Sequence, residues 1–231
     1  MKGDFFLSLH FKNRKIVVPG ELLAEGAYKP GEGAFREGNY IYSSVVGLAE
    51  AKGKIVEVVA FEGAYIPKAG DVVIGKVMDV KMTSWRIDIH SPYQATMHPV
   101  NVFERRMDSL KDDLRRYFDV GDALVAKIMS FDRTKTPLLT TKERGLGKLQ
   151  GGYLVEMLPT KIPRLIGRKG SMINMIKKET RCQITIGQNG IIWVSGKSFE
   201  EEERVIKAIR QIEREAHTPG LTDRIRDLIH R

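Results

Sequence analysis

"LIGRKGSMINMIKKE", Leu165 to Glu179, carries two glycines three apart with two cations between them. An amphipathic stretch starts at once, with Met172, Ile173 and Ile176 at helical spacing. A glycine turn lets a ligand approach the backbone, because no Cβ stands in the way. A helix start then offers unpaired N–H groups and the positive end of a dipole. Together they suit a phosphate, and Arg168 and Lys169 add two formal charges at the tip.

The flanking text decides which phosphate. Upstream, "GYLVEML" alternates as a strand and "TKIPRLIG" is a short helix. Downstream, "QITIGQNGIIWVSG" is a hairpin around Gln188-Asn189-Gly190, where Asn-Gly is expected to supply the positive φ angles of a tight turn. "SFEEEERVIKAIRQIEREAH" is a helix capped by Ser198, with glutamates in its first turn and Val205, Ile209 and Ile212 on its buried stripe. A tail, "TPGLTDRIRDLIHR", has room for one more short helix. A Walker loop needs four residues between its glycines and a following Lys-Ser/Thr, which this sequence lacks. Gly145, Gly147 and Gly151 miss the dinucleotide spacing by one residue and lie in "ERGLGKLQGG", a linker by composition. No nucleotide or other cofactor is expected. What remains is a Gly-x-x-Gly loop joining two helices in the order β-α-α-β-β-α. On "IGRKGSMINMIKKET" the segment resembles the KH domain, whose loop clamps about four nucleotides of single-stranded backbone. Gly167, Arg168, Lys169 and Gly170 are the expected contacts. From Leu158 to Arg181 there are seven basic residues and one acidic, and Lys161, Arg164, Lys177 and Lys178 are secondary candidates.

The middle block holds five alternating stretches: "DVVIGKVMDVKM", "SWRIDIH", "YQATMH", "ALVAKIMSFD" and "TPLLTTK". Gly75 suits a bend at a barrel corner. A charge-dense stretch of helical pattern, "NVFERRMDSLKDDLRRYFDVGD", separates the third strand from the fourth. Five strands with that excursion give the order of an OB-type barrel. On "GDVVIGKVMDV", "FDVGDALVAKIMSFD" and "PLLTTK" the block resembles the RNA-binding barrel first described in ribosomal protein S-one. Its middle strands lack the Phe-rich, Gly-rich text of strong RNA binders. Trp85, Tyr93 and His98 are candidates to stack on bases, with Trp85 equally suited to a core. Lys76, Lys81, Arg86, Arg105 and Arg106 are candidate phosphate contacts ranked below the KH loop.

The first block is rich in turns, with Pro19-Gly20, Pro30-Gly31 and Gly33 between short alternating runs, so a small β domain is expected. The expected organisation is multidomain, β-rich plus α+β: a β domain over 1–69, a five-stranded barrel over 70–145 and a KH domain with a helical tail over 146–231. The chain has 231 residues and a formal net charge of +9, which favours polyanionic partners. One cysteine, Cys182, excludes an intrachain disulfide and reads as a packing residue in a reducing compartment. No apolar run approaches the ~18–20 residues that span a bilayer, and the N-terminus does not read as a signal peptide, so a cytoplasmic location is expected. His90, His98 and Asp88 are too spread for zinc, and Asp112 and Asp113, adjacent on a helix, diverge. No metal site and no catalytic residue are expected.

With "VVPGELL", "PGEGAF", "YIYSSVVG" and "YIPKAGDVVIGKV" added, the chain as a whole resembles the Rrp-four cap subunits of the archaeal exosome. That resemblance implies a non-catalytic role. Three such subunits would sit on a hexameric ribonuclease ring, docked by the N-terminal domain, with barrels around the entry pore and KH domains outside. It implies single-stranded RNA and the ring as partners and no membrane. Two alternatives remain: a transcription elongation or termination factor with barrel and KH domains, which usually carries two KH copies, and an assembly adaptor that contacts only protein.

Overall fold

The computed structural model of the chain describes residues 8–12, 14–103, 113–216, 218 and 220–230. The chain divides into two compact units, Met1–Gly63 and Ala64–Arg231.

The first unit is built from eight short strands in two four-stranded sheets. One has the order β1 (Ser8–Leu9), β3 (Leu22–Glu25), β6 (Tyr40–Ser43), β5 (Ala34–Glu37); the other is β2 (Lys15–Val17), β7 (Gly47–Lys52), β8 (Ile55–Ala60), β4 (Lys29–Pro30). Inward residues Val17, Leu23, Ala24, Ile41, Ala49, Val56 and Val58 form its core. The Pro-Gly-Glu-Gly text has a steric reason. The chain from Pro30 to Gly33 lies along β8, with the Gly31 amide on Val56 O at 2.7 Å and the Val58 amide on Glu32 O at 2.7 Å. A Cβ on Gly33 would stand 2.4 Å from Val58 O, and φ there is +70°.

In the second unit the barrel strands are β9 (Val72–Val80), β10 (Trp85–Asp88), β11 (Ala95–Met97), β12 (Ala123–Asp132) and β13 (Lys135–Thr140). They run β13-β11-β10-β9-β12, and a β12–β13 pairing closes the circle, so the five expected strands form a closed barrel. Gly75 makes the expected close approach: a Cβ there would meet Ile87 Cγ2 at 2.4 Å. Trp85, Ile87, Ile89, Met97, Leu124, Ile128 and Leu139 fill the interior. The stretch expected to be helical, 101–122, contributes a 3₁₀ turn at Leu114–Arg116, another at Pro99–Asn101 leads into it, and residues 104–112 lie outside the described residues. Asp113 serves as a cap there, accepting the Arg115 amide at 3.0 Å.

The expected linker is partly structured. Gly147–Lys148 forms strand β14 on the barrel edge, paired with β12. Leu146 and Leu149 beside it pack with Ile74, Val125, Ile191 and Trp193, a small core that joins barrel strands to the next domain.

The C-terminal region follows the expected order: β15 (Tyr153–Glu156), α1 (Ile162–Ile166), α2 (Ser171–Thr180), β16 (Gln183–Ile186), β17 (Ile191–Ser195) and α3 (Phe199–Arg214), then a tail helix α4 (Leu221–His230). The sheet order is β15-β17-β16. Met172, Ile173 and Ile176 of α2, Val205, Ile209 and Ile212 of α3, and Leu221, Ile225 and Ile229 of α4 share one core. Ser198 caps α3, its Oγ accepting the Glu201 amide at 3.3 Å. Cys182 is buried, and burial pushes its thiol up, against the bond from Sγ to Thr180 O. It packs rather than reacts.

The Asn189 turn differs from expectation. Gly190 alone of the pair has positive φ, at +85°. Asn189 is fully buried instead, and its side chain reaches across to the barrel. Its Oδ1 accepts the Ile74 amide at 3.2 Å, and its Nδ2 donates to Ile74 O at 2.7 Å and to Ile89 O at 2.9 Å. Gln188 accepts the Val72 amide through Oε1 at 2.6 Å and donates its own amide to Val72 O at 2.9 Å. The hairpin tip thus satisfies barrel groups that packing would otherwise strand, since buried polar backbone needs partners.

Candidate nucleic-acid interface

The loop between α1 and α2 is shaped by backbone that only glycine takes easily. Gly167 has φ +73° and ψ 175°, and Gly170 has φ +79° and ψ 12°. A Cβ on Gly167 would lie 2.8 Å from the Met172 amide nitrogen and 2.9 Å from Met172 Cβ, so the loop is folded tightly on the first turn of α2. The Gly170 amide donates to Gly167 O at 3.2 Å and closes the turn. Lys169, between them, is also left-handed at φ +50°. No side chain caps the start of α2. Arg168 and Lys169 are exposed and, among the described residues, their side chains make no hydrogen bond or ion pair. The result is a bare, doubly cationic tip at a helix N-terminus, held open towards solvent.

The secondary candidates fall into two groups. Lys177 and Lys178 are exposed on α2 and unpaired among the described residues. Lys161 is half-buried, with Nζ donating to Glu213 O at 2.9 Å, and Arg164 reaches Thr218 O at 3.4 Å. These two tie the α1 side of the loop to the end of α3 and the turn after it. Strand β16, which follows α2 in the chain, pairs only with β17 and is one of the two edges of the sheet among the described residues.

On the barrel, Trp85 takes the core role of its two expected ones, not the stacking role. Its side chain is fully buried, packs edge-on against Phe118 at 5.5 Å between centroids, and donates Nε1–H to Phe118 O at 2.9 Å. Alternation along β10 turns Trp85 inward and the neighbouring Arg86 outward, where it bonds Gln94 Oε1. Tyr93 is half-buried and meets Phe131 edge-to-face at 4.8 Å. Phe131 escaped the sequence reading; its signal was an aromatic at the end of a strand next to the charged turn Asp132–Lys135. His98 is exposed, with Nδ1 3.2 Å from Thr83 O. Lys76 and Lys81 are exposed and unpaired among the described residues, while Arg105 and Arg106 lie outside them. The barrel therefore offers dispersed polar and aromatic groups, and the α1–α2 loop offers a concentrated one. Among the described residues no three His, Cys, Asp or Glu side chains cluster as metal ligands would.

Comparison with known proteins finds a family match in each of the three domains. Residues 14–62 match the exosome RNA binding protein RRP4 N-terminal domain, residues 64–130 the RRP4 S1 domain and residues 152–198 a KH domain. The exosome complex component Rrp4 of Thermococcus kodakarensis is 51% identical over 220 residues, covering 94% of this chain and 86% of its own. That of Methanothermus fervidus is 51% identical over 223 residues, covering 96% and 98%. A crystal structure described as an exosome complex RNA-binding protein superposes with a TM-score of 0.69 at 40% identity, covering 73% of this chain and 96% of that one. With three matched domains in the same order and relatives at half identity over nearly the full length, the chain belongs to the Rrp4 family of exosome complex components.

Proposed function

We propose that the protein is the non-catalytic RNA-binding cap of an archaeal exosome, three copies on a hexameric ribonuclease ring, acting in the cytoplasm. The first unit docks on the ring. The exposed apolar side chains of its strands, Ile16, Phe35, Tyr40, Ile55 and Val59, are of the kind an interface covers. Barrel and KH domain then hold single-stranded RNA by its backbone and lead its 3′ end towards the pore. The observation that carries the RNA reading is the Gly167–Gly170 tip. Glycine is demanded there by a 2.8 Å approach, and both intervening cations are left without a partner.

Backbone recognition makes binding tolerant of sequence and steeply dependent on salt, because each phosphate contact releases counterions. Fluorescence anisotropy of a labelled single-stranded RNA tests this at two salt concentrations, with wild type and with Arg168→Asp/Lys169→Asp. The double variant should bind several-fold more weakly, and wild-type binding should fall as salt rises. Equal binding by both proteins would move the RNA site to the barrel. No binding by either would leave an assembly subunit that contacts only protein. A cleavage product from the purified chain alone would overturn the non-catalytic role.

A further inference from the structure

The sheet of the C-terminal region has a bare edge. β15 pairs only with β17 among the described residues, and Tyr153, Leu154 and Glu156 on it are exposed. The Met157 amide donates to Gly190 O at 2.8 Å, so the alternation of an antiparallel pair turns the backbone groups of Leu154 and Glu156 away from β17. Glu156 O is taken by Arg210 Nη1 of α3 at 2.7 Å. Leu154 N–H, Leu154 O and Glu156 N–H have no other partner among the described residues. On the helix side of the sheet, Tyr153 meets Phe199, the first residue of α3, edge-on at 6.2 Å between centroids. Both rings are exposed, Phe199 at 62%. On the other side Leu154, also exposed, stands opposite Trp193. Sheets blunt an open edge with charge, proline or cover, since a row of unpaired backbone groups templates another strand. Here the guard is confined to Glu156 and its Arg210 contact, at one end of the strand.

We propose that the β15 edge is a docking site for an extended protein segment that adds to the sheet as a further strand, carrying apolar side chains for Tyr153, Phe199 and Leu154 and basic ones for Glu156 and Glu200. The outward groups of Leu154 and Glu156 supply the backbone pairing, and the exposed rings supply the anchors. The charge of the rim identifies the partner. On a chain of formal net charge +9, the residues from Lys197 to Arg204 hold four carboxylates against two cations. Glu201 and Glu202 accept the amides of Lys197 and Gly196, and Glu203 pairs with Lys207. The side chains of Glu156 and Glu200 are exposed and have no partner among the described residues. Such carboxylates repel phosphate, so the rings are not a stacking platform for RNA. A second copy of this chain would bring a second Glu156 to the same edge, and like charges across a strand pair are destabilising. A basic and apolar segment satisfies backbone, rings and carboxylates together. The inference does not depend on the RNA reading of the Gly167–Gly170 loop.

The test selects short random peptides, displayed as a library, on the full-length chain and counter-selects them on full-length Tyr153→Ser/Phe199→Ser. The counter-selection discards peptides held by the basic surfaces elsewhere. Survivors should be rich in Lys, Arg and apolar residues and poor in Asp and Glu. No survivors, or acidic ones, would overturn the proposal. Surviving peptides are then labelled and titrated by fluorescence anisotropy. Leu154→Pro should weaken them by about tenfold or more, because it removes an amide that the ladder with β17 does not use. Unchanged binding there would mean that the peptide does not add as a strand, and the proposal fails. Glu156→Lys/Glu200→Lys should weaken the same peptides, and equal binding would overturn the charge argument and the partner with it. Labelled single-stranded RNA should bind Tyr153→Ser/Phe199→Ser as it binds wild type. A several-fold loss would make the rings an RNA platform and overturn the protein reading. Urea unfolding of each variant separates lost contacts from lost folding, and Glu156→Lys/Glu200→Lys, changed only at exposed side chains, decides the matter should the serine variant be unstable.

Discussion

Gly167 shows how much one missing carbon matters. Its φ and ψ lie in a region that residues with a Cβ avoid, and the space a Cβ would enter is occupied by the first turn of α2. Gly167→Ala should therefore cost about 1–3 kcal/mol of stability and weaken RNA binding at the same time, because relief comes only by opening the loop. Urea unfolding and anisotropy on the same preparation would show both. A variant with wild-type stability would mean that the loop adapts without strain. Trp85 makes the complementary point. An indole is enriched both in cores and on nucleic-acid surfaces. Its Nε1–H bond to Phe118 O, made inside the barrel, is a tertiary contact that no local pattern announces.

At the scale of elements, the tail helix α4 is part of the KH core rather than an appendage. Leu221, Ile225 and Ile229 recur every four residues and are buried against α2 and α3. Arg224 bonds Glu215 at 2.8 Å across the turn that joins α3 to α4. Arg164 reaches Thr218 in that same turn, so both helices flanking the Gly167–Gly170 loop are braced from the C-terminal side. Ile225→Ala, at a fully buried position, should cost about 2–5 kcal/mol in thermal or chemical unfolding. A cost under about 1 kcal/mol, the range of a surface change, would show that α4 is only loosely docked.

At the scale of the whole molecule, barrel and KH domain fall in one compact unit. Three features join them: the apolar seam of Ile74, Val125, Ile191 and Trp193, the polar clamp of Asn189, and the paired bonds between Gln188 and Val72. Asn189→Leu keeps the volume and removes all three bonds. It should destabilise the unit by about 3 kcal/mol or more, because each buried group left unpaired costs about 1–3 kcal/mol. It should also split one cooperative transition into two, followed by tryptophan fluorescence from Trp85 in the barrel and Trp193 in the seam. A single transition at the wild-type midpoint would show that the apolar seam and the Gln188–Val72 bonds couple the domains without the clamp.

The sequence by itself determined the five barrel strands, the order β-α-α-β-β-α of the C-terminal domain and the tail helix. Alternation marked the barrel strands, helical spacing marked α2 and α3, Ser198 marked a cap, and Gly167, Arg168, Lys169 and Gly170 marked a tight cationic loop between two helices. All of these are local, set by residues within a few positions of each other, so their signals lie contiguous in the chain. The tertiary structure decided what depends on distant partners. It turned Trp85 inward onto Phe118, made Asn189 a clamp on Ile74 and Ile89 rather than a turn residue, folded Gly147–Lys148 of the linker into the barrel sheet, and left Lys177, Lys178 and Arg181 unpartnered while giving Glu179 to His230. The physical reason is the same in each case. Whether a polar or aromatic group is buried, paired or free is settled by what the fold brings beside it, and the Asn189 clamp spans 115 positions of chain.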